Sequence, residues 1–171
     1  FIDLNLSGWD LANGRVFRVS AVATNDVTLE GFNTLDTAKY PAGTGIGTVR
    51  EITAWTTLSQ ISPEFSVAGG DQNYANTTFV SNLIRTQIPT DRNPVTVTLP
   101  LFFDPTLAWY ATVQAAADAS ALYAFRMIFP NGSRMVANAY WSIRGVPTNQ
   151  DGTLRDVIDL SFAGQPTVYS T

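Results

Sequence analysis

The clearest hydrophobic pattern runs from residue 99 to residue 144, and its period changes along the way. Leu99-Pro100-Leu101-Phe102-Phe103 is extended and apolar, and Asp104-Pro105 follows as a capping carboxylate with proline at the first helical position. From Thr106 to Ala121, Leu107, Ala108, Tyr110, Ala111 and Ala115 recur at three-to-four spacing, with no glycine or proline inside. That period predicts one amphipathic helix of about four turns. Leu122 to Phe129 is a strongly apolar strand. It ends at Pro130-Asn131-Gly132-Ser133, where Asn-Gly predicts a two-residue hairpin turn at positive φ. The return strand, Arg134 to Arg144, alternates Met135, Ala137, Ala139 and Trp141 against Arg134, Val136, Asn138 and Tyr140. A helix packed on a hairpin is the predicted anchor of the fold.

The rest of the chain alternates with period two or turns. Ile2 to Leu6 predicts a short strand, and Val16 to Val22 pairs with Val27 to Phe32 across Thr24-Asn25-Asp26. Thr34 to Gly47 is a loop. Thr48 to Ser66 is β-rich, with Thr53-Ala54-Trp55-Thr56-Thr57 continuing a strand across a bulge or bend. The segment 68–93 lacks sustained alternation and predicts a long inter-strand loop, a feature usually tied to function. Val95 to Leu99 resumes the sheet. Leu154 to Phe162 predicts the last strand, with Ile158, Leu160 and Phe162 on one face and Val157, Asp159 and Ser161 on the other. Roughly eight or more strands and one helix predict a mainly β single domain over 1–171, a β-sandwich or partly closed barrel with one flanking α-helix.

Composition adds a bias toward assembly. Of the 171 residues 45% are hydrophobic and only 14% charged, against the usual quarter for a soluble domain, so part of the surface is expected to be covered. The one lysine, Lys39, agrees with this, since lysine is depleted at interfaces. A net charge of −4 and a pI near 4.6 argue against a conventional nucleic-acid binder with a basic face. Histidine and cysteine are both absent, which excludes a disulfide framework, thiolate metal sites and His-based catalytic triads. No apolar run has bilayer-spanning length, and no signal peptide is visible.

Candidate chemistry is sparse. Gly43-Thr44-Gly45-Ile46-Gly47 has neither the following helix nor the lysine of a phosphate loop. The acids Asp71, Asp91, Asp104, Asp118, Asp151, Asp156 and Asp159, with Glu30, Glu51 and Glu64, show no grouping along the chain that would pair two across a cleft. Asp71-Gln72-Asn73 lacks the ordered ligand spacing of a calcium loop. No catalytic, cofactor-binding or metal residue is assigned. Trp9, Trp55, Trp109 and Trp141 suit a core or a subunit interface; exposed and coplanar, they would instead suit a carbohydrate-binding β-sandwich module.

Several stretches together resemble one family. They are Phe125-Arg126-Met127-Ile128-Phe129-Pro130-Asn131-Gly132 with its preceding helix, the return strand with Trp141, and the strand ending Gly164-Gln165-Pro166. Val19 to Gly31, Tyr40-Pro41-Ala42-Gly43-Thr44-Gly45, Ala54-Trp55-Thr56-Thr57 and Ala68-Gly69-Gly70-Asp71 extend the likeness over most of the chain. They resemble the major tail tube protein of long-tailed phages, the family of the lambda major tail protein. The resemblance implies a virion protein without catalytic residues, assembled in the host cytoplasm. Its rings, hexameric in that family, stack into a hollow tube around a tape-measure protein, meet tail-end proteins and later conduct genomic DNA. It implies an acidic lumen, which repels DNA rather than binding it. It also implies a loop that reaches the next ring. Here that loop falls on Gly69 to Asn93, with Tyr74, Phe79, Val80, Leu83 and Ile84 as the contact residues. A related baseplate ring protein or the inner tube of a contractile tail shares these features.

Overall fold

The computed structural model describes residues 1–77 and 84–170. In chain order its strands are β1 (Ile2–Ser7), β2 (Val16–Phe17), β3 (Val19–Val22), β4 (Val27–Leu29), β5 (Ile46–Glu51), β6 (Ser66–Ala68), β7 (Gln72–Asn76), β8 (Gln87–Arg92) and β9 (Thr96–Phe102). The helix α1 (Ala108–Ala119) follows, then β10 (Leu122–Ile128), β11 (Arg134–Ile143), β12 (Thr148–Gln150), β13 (Thr153–Phe162) and β14 (Thr167–Tyr169). A large antiparallel sheet runs β10-β11-β13-β9-β6, with β12 beside β13 and β14 beside β11. A small sheet runs β2-β1-β5, and β3-β4 and β7-β8 are separate two-stranded hairpins. Among the described residues the fold is a mainly β sandwich with one helix, and no sheet closes into a barrel.

The main core lies between α1 and one face of the large sheet. Val97, Leu99 and Leu101 of β9 sit beside Ile158 and Leu160 of β13, Ala137 and Ala139 of β11, and Phe125 of β10. Trp109, Tyr110 and Val113 of α1 close this core from above, and Ala116 one turn further on is buried as well. The alanines of β11 let the helix come down close to the sheet, and the bulk is supplied by neighbouring strands. The other face of β11 is covered too: Val136 meets Val16 and Tyr169, and Asn138 is buried beside it. Over residues 136–139 β11 is thus buried on both faces, whereas Tyr140 and Ser142 further along stand exposed on the face opposite α1.

Three local expectations change. Asp104 does not cap the helix. Its carboxylate accepts from the Thr106 backbone N–H and hydroxyl, which holds a turn one step earlier, and α1 starts after Leu107 with no side-chain cap. The 129–133 turn has three residues rather than two. Gly132 N–H donates to the Phe129 carbonyl, and only Gly132 has positive φ, which makes a type I turn with Pro130 in front and a glycine bulge behind. Residues 53–58 form no strand: among the described residues their backbone makes no backbone hydrogen bond. The excursion between β6 and β9 contains the β7-β8 hairpin, which leaves the sheet at Gly69. A Cβ there would lie 2.0 Å from the Pro94 carbonyl oxygen, at a φ of 81°. The short polar strands of that arm carry too little alternation to read as strands.

Candidate functional site

The described residues gather no reaction centre. Asp156 is buried on the core face of β13, where its Oδ1 accepts from Val157 N–H and its Oδ2 has no hydrogen-bond partner. Burial, and secondarily this nearby carboxylate, push the Tyr110 hydroxyl above its ordinary range. Asp159 lies on the opposite face and accepts from the Thr98 hydroxyl at 2.7 Å. These two acids, three residues apart, are therefore separated by the sheet. Gln72 and Asn73 are spent within the arm: Asn73 Nδ2 donates to Asp91 Oδ1 and Asn93 Oδ1, and Gln72 Nε2 donates to the Asp91 carbonyl. The Asp91 carboxyl is held below its ordinary range first by the Thr90 hydroxyl, with Asn73 adding to it. Among the described residues no cluster of acids could hold a metal.

The tryptophans make no flat platform. Trp109 is buried and donates to Ser59 Oγ, Trp9 packs edge-on against Tyr40, Trp55 edge-on against Phe1, and Trp141 edge-on against Phe125.

What the surface offers is contact area of four kinds. The first is the pair of open edges on the large sheet, β10 at one end and β6 at the other. The second is the β7-β8 arm. β8 is exposed along its whole length, and Tyr74 and Ile84 are 59% and 79% exposed, so both anticipated contact residues stand in solvent. Phe79, Val80 and Leu83 lie outside the described residues. The third is the open face of β9, β13 and β11, a shallow strip lined by Thr96, Thr98, Tyr140, Ser142, Asp159 and Ser161. The fourth is an apolar groove of 930 Å³ between α1, β10 and the irregular strap 51–65. Sequence reasoning missed the groove. Ile52, Trp55, Leu58 and Ile61 recur at every third position along the strap, a period of neither strand nor α-helix, and the strap pairs with β9 only at its end, through Ile61 beside Leu101.

The hairpin β3-β4 is fastened to the body by side chains. Arg18 forms an ion pair with Glu30, and its guanidinium lies over the Tyr169 ring. The Tyr169 hydroxyl accepts from Arg18 N–H at 2.8 Å. The Arg18 side chain holds the Glu30 carboxyl below its ordinary range, and burial pushes the Tyr169 hydroxyl up. Arg15, lowered by burial, lies over Phe17 and Phe32 and donates to Thr167. Two arginines thus tie the first forty residues to β14.

Among the described residues the molecule is thus a β-sandwich without a reaction centre, with two strands that end its large sheet and an exposed two-stranded arm. The chain belongs to the phage tail tube protein (TTP) family, whose model matches residues 7–171. It is a structural component of a phage tail, working among other tail components. Two solved structures are looser likenesses. A chain of the anti-feeding prophage baseplate shares 8% identity at a TM-score of 0.43, covering 73% of this chain and 86% of that one. A chain of the anti-feeding prophage tube-terminating cap shares 13% at 0.40, covering 71% and 96%. No functionally curated protein matches the chain.

Proposed function

We propose that this chain is the repeating tail tube subunit, a single domain over 1–171 that forms rings, hexameric as in the resembling family, stacked into a hollow tube. The role is mechanical and involves no catalysis. The observation that carries this reading is the pair of unpaired edges on one sheet. A strand edge offers a row of free backbone N–H and C=O groups, and isolated proteins normally cover or blunt such edges. Joining the sheets of neighbouring subunits edge to edge satisfies both rows at once. The other face carries α1 and the strap 51–65, so the open strip with Asp159 is the face we assign to the bore. Hydroxyls and a carboxylate there offer passing DNA little to hold.

The arm supplies the axial contact. A lone two-stranded hairpin is marginal in water, and the exposure of β8 along its whole length supports an outside partner for it. We assign Tyr74, Phe79, Val80, Leu83 and Ile84 to the next ring. The tube encloses a tape-measure protein, meets tail-end proteins, forms in the host cytoplasm and later passes genomic DNA. Negative-stain electron microscopy over a concentration series, with and without tail-end proteins, tests this reading. Hollow tubes or stacked rings are expected, with the symmetry read from end views. Protein that stays monomeric throughout overturns it.

A further inference from the structure

The chain holds two Asn-Gly pairs, Asn13-Gly14 and Asn131-Gly132, and the fold treats them in opposite ways. In such a pair the side-chain carboxamide sits one residue before a backbone nitrogen that no side chain shields. Both asparagines reach solvent, so hydrogen bonding is what separates them. At Asn13 the pair is clamped by more distant parts of the chain. Leu6 N–H donates to Asn13 Oδ1 at 2.9 Å, and Gly14 N–H donates to the Leu4 carbonyl at 2.8 Å. Asn13 N–H donates to the Trp9 carbonyl at 3.0 Å, and Ala12 and Gly14 on either side are buried. Freeing this pair means pulling the loop off β1.

At Asn131 every bond is local. The pair stands at the tip of the β10-β11 hairpin. Asn131 Oδ1 accepts from Ser133 N–H at 3.1 Å and from the Ser133 hydroxyl at 2.7 Å. Its Nδ2 bonds nothing among the described residues. Two donors thus converge on the oxygen that turns negative when a nucleophile adds to Cγ. Gly132 N–H has one bond to give up, to the Phe129 carbonyl at 2.9 Å, in an exposed turn where local opening costs little.

We propose that Asn131 is a site of spontaneous deamidation, with water as the only co-reactant. The Gly132 nitrogen attacks Asn131 Cγ, and the new N–Cγ bond closes a five-membered succinimide. Nδ2 leaves as ammonia, taking up the proton that the Gly132 amide gives away. Water then adds to one of the two ring carbonyls, and the bond from that carbon to the Gly132 nitrogen breaks. Opening at Cγ gives aspartate, and opening at the backbone carbonyl gives isoaspartate. Either product carries one negative charge more than the amide. Aspartate keeps the acceptor that Ser133 uses, whereas isoaspartate runs the main chain through the side chain and lengthens the turn by one carbon. Phe129 and Pro130 line the end of the apolar groove, so the new charge arises beside that surface. The inference concerns the folded chain and stands whether or not that chain forms a tube.

Mass spectrometry of aged protein tests the assignment, with Asn13 as the internal control. Folded protein is kept in mildly alkaline buffer, sampled over weeks and digested with pepsin at low pH, beside a sample kept in denaturant. Unfolded, both Asn-Gly peptides are expected to exchange the amide for an acid. Folded, the Asn131 peptide is expected to convert at least about tenfold faster than the Asn13 peptide, because the bonds that clamp Asn13 must break first. Isoelectric focusing of the aged folded protein is expected to show an acidic band that is absent from Asn131→Gln, whose longer side chain cannot close a five-membered ring. An Asn131 peptide that stays unchanged in the folded protein, or converts no faster than the Asn13 peptide, overturns the proposal. So does an acidic band that persists undiminished in folded Asn131→Gln. If Asn131→Gln does not fold, the peptide comparison decides alone.

Discussion

The helix-backed face of the large sheet and the hairpins that stand off it use similar residues to opposite ends. In β9, and in β13 from Asp156 onward, every second side chain is buried on the face that α1 covers, whereas β5, β6 and β8 have no buried position at all. Yet the exposed strands are not polar: Ile46, Val49, Val67 and Ile88 stand largely in solvent. An apolar residue left outside in a charge-poor chain gains nothing for the isolated subunit. The difference teaches that one region holds the fold, while the other carries the exposed apolar residues on which the proposed contacts rest.

The sharpest way to break the comparison is in the dense region. Leu160 is 1% exposed at the centre of the main core, so Leu160→Ala is expected to lose about 2–5 kcal/mol in chemical denaturation, the usual cost of a core cavity. A loss under about 1 kcal/mol there would mean that the core is not what holds the subunit. A smaller effect is expected at the seam between the regions. Tyr169→Phe removes the hydroxyl that accepts from Arg18 N–H in a buried setting, at about 1 kcal/mol, while its ring still underlies the guanidinium. An unchanged midpoint would show that the seam is held by packing alone.

Acid sharpens the contrast further. The Glu30 carboxyl is held below its ordinary value by Arg18, so it binds protons less readily folded than unfolded. Its contribution is whole above the ordinary carboxylate value, about 4, and is lost as pH falls through the lower folded value. Because the pair is only half-buried and still reached by solvent, the loss is small and local. The protection of amides in β3-β4, relative to their intrinsic exchange at each pH, is expected to fall below about pH 4 while that of β9 and β13 holds, and Glu30→Gln is expected to abolish this step. Equal loss of protection in both regions would contradict a side-chain fastening.

The smallest stability effect belongs to the arm, where function should change most. Phe79→Ser with Leu83→Ser, or Tyr74→Ser with Ile84→Ser, is expected to move the midpoint by no more than about 0.5 kcal/mol. Rings are expected to persist while long tubes disappear from micrographs. Wild-type tube length in both double variants would remove the arm from the axial contact.

Much of the dense region was legible in sequence because its patterns are local. The alanine-rich run predicts α1 to within two residues at each end, and the alternation of Ile158, Leu160 and Phe162 matches the buried face of β13. Pro130-Asn131-Gly132 marks its turn, although the turn type depends on φ at Asn131, which a dipeptide does not set. Less of the contact surface was legible. Tyr74 and Ile84, named from the family resemblance, stand exposed, but no local rule pairs Gln72–Asn76 with Gln87–Arg92.

The sequence by itself determined the class: a mainly β chain with one helix, no histidine or cysteine chemistry, and an unusually small share of charged residues. Those properties follow from periodicity and composition, which each residue carries with it. Only the tertiary structure decided which strands became edges, that Asp156 and Asp159 face opposite ways across one sheet, and that the period-three strap lies over an open groove. β1 pairs with β5 more than forty residues away. Pairings at that distance are chosen by the closure of the whole core, against a loop entropy that grows only slowly with length, so no local stretch encodes them.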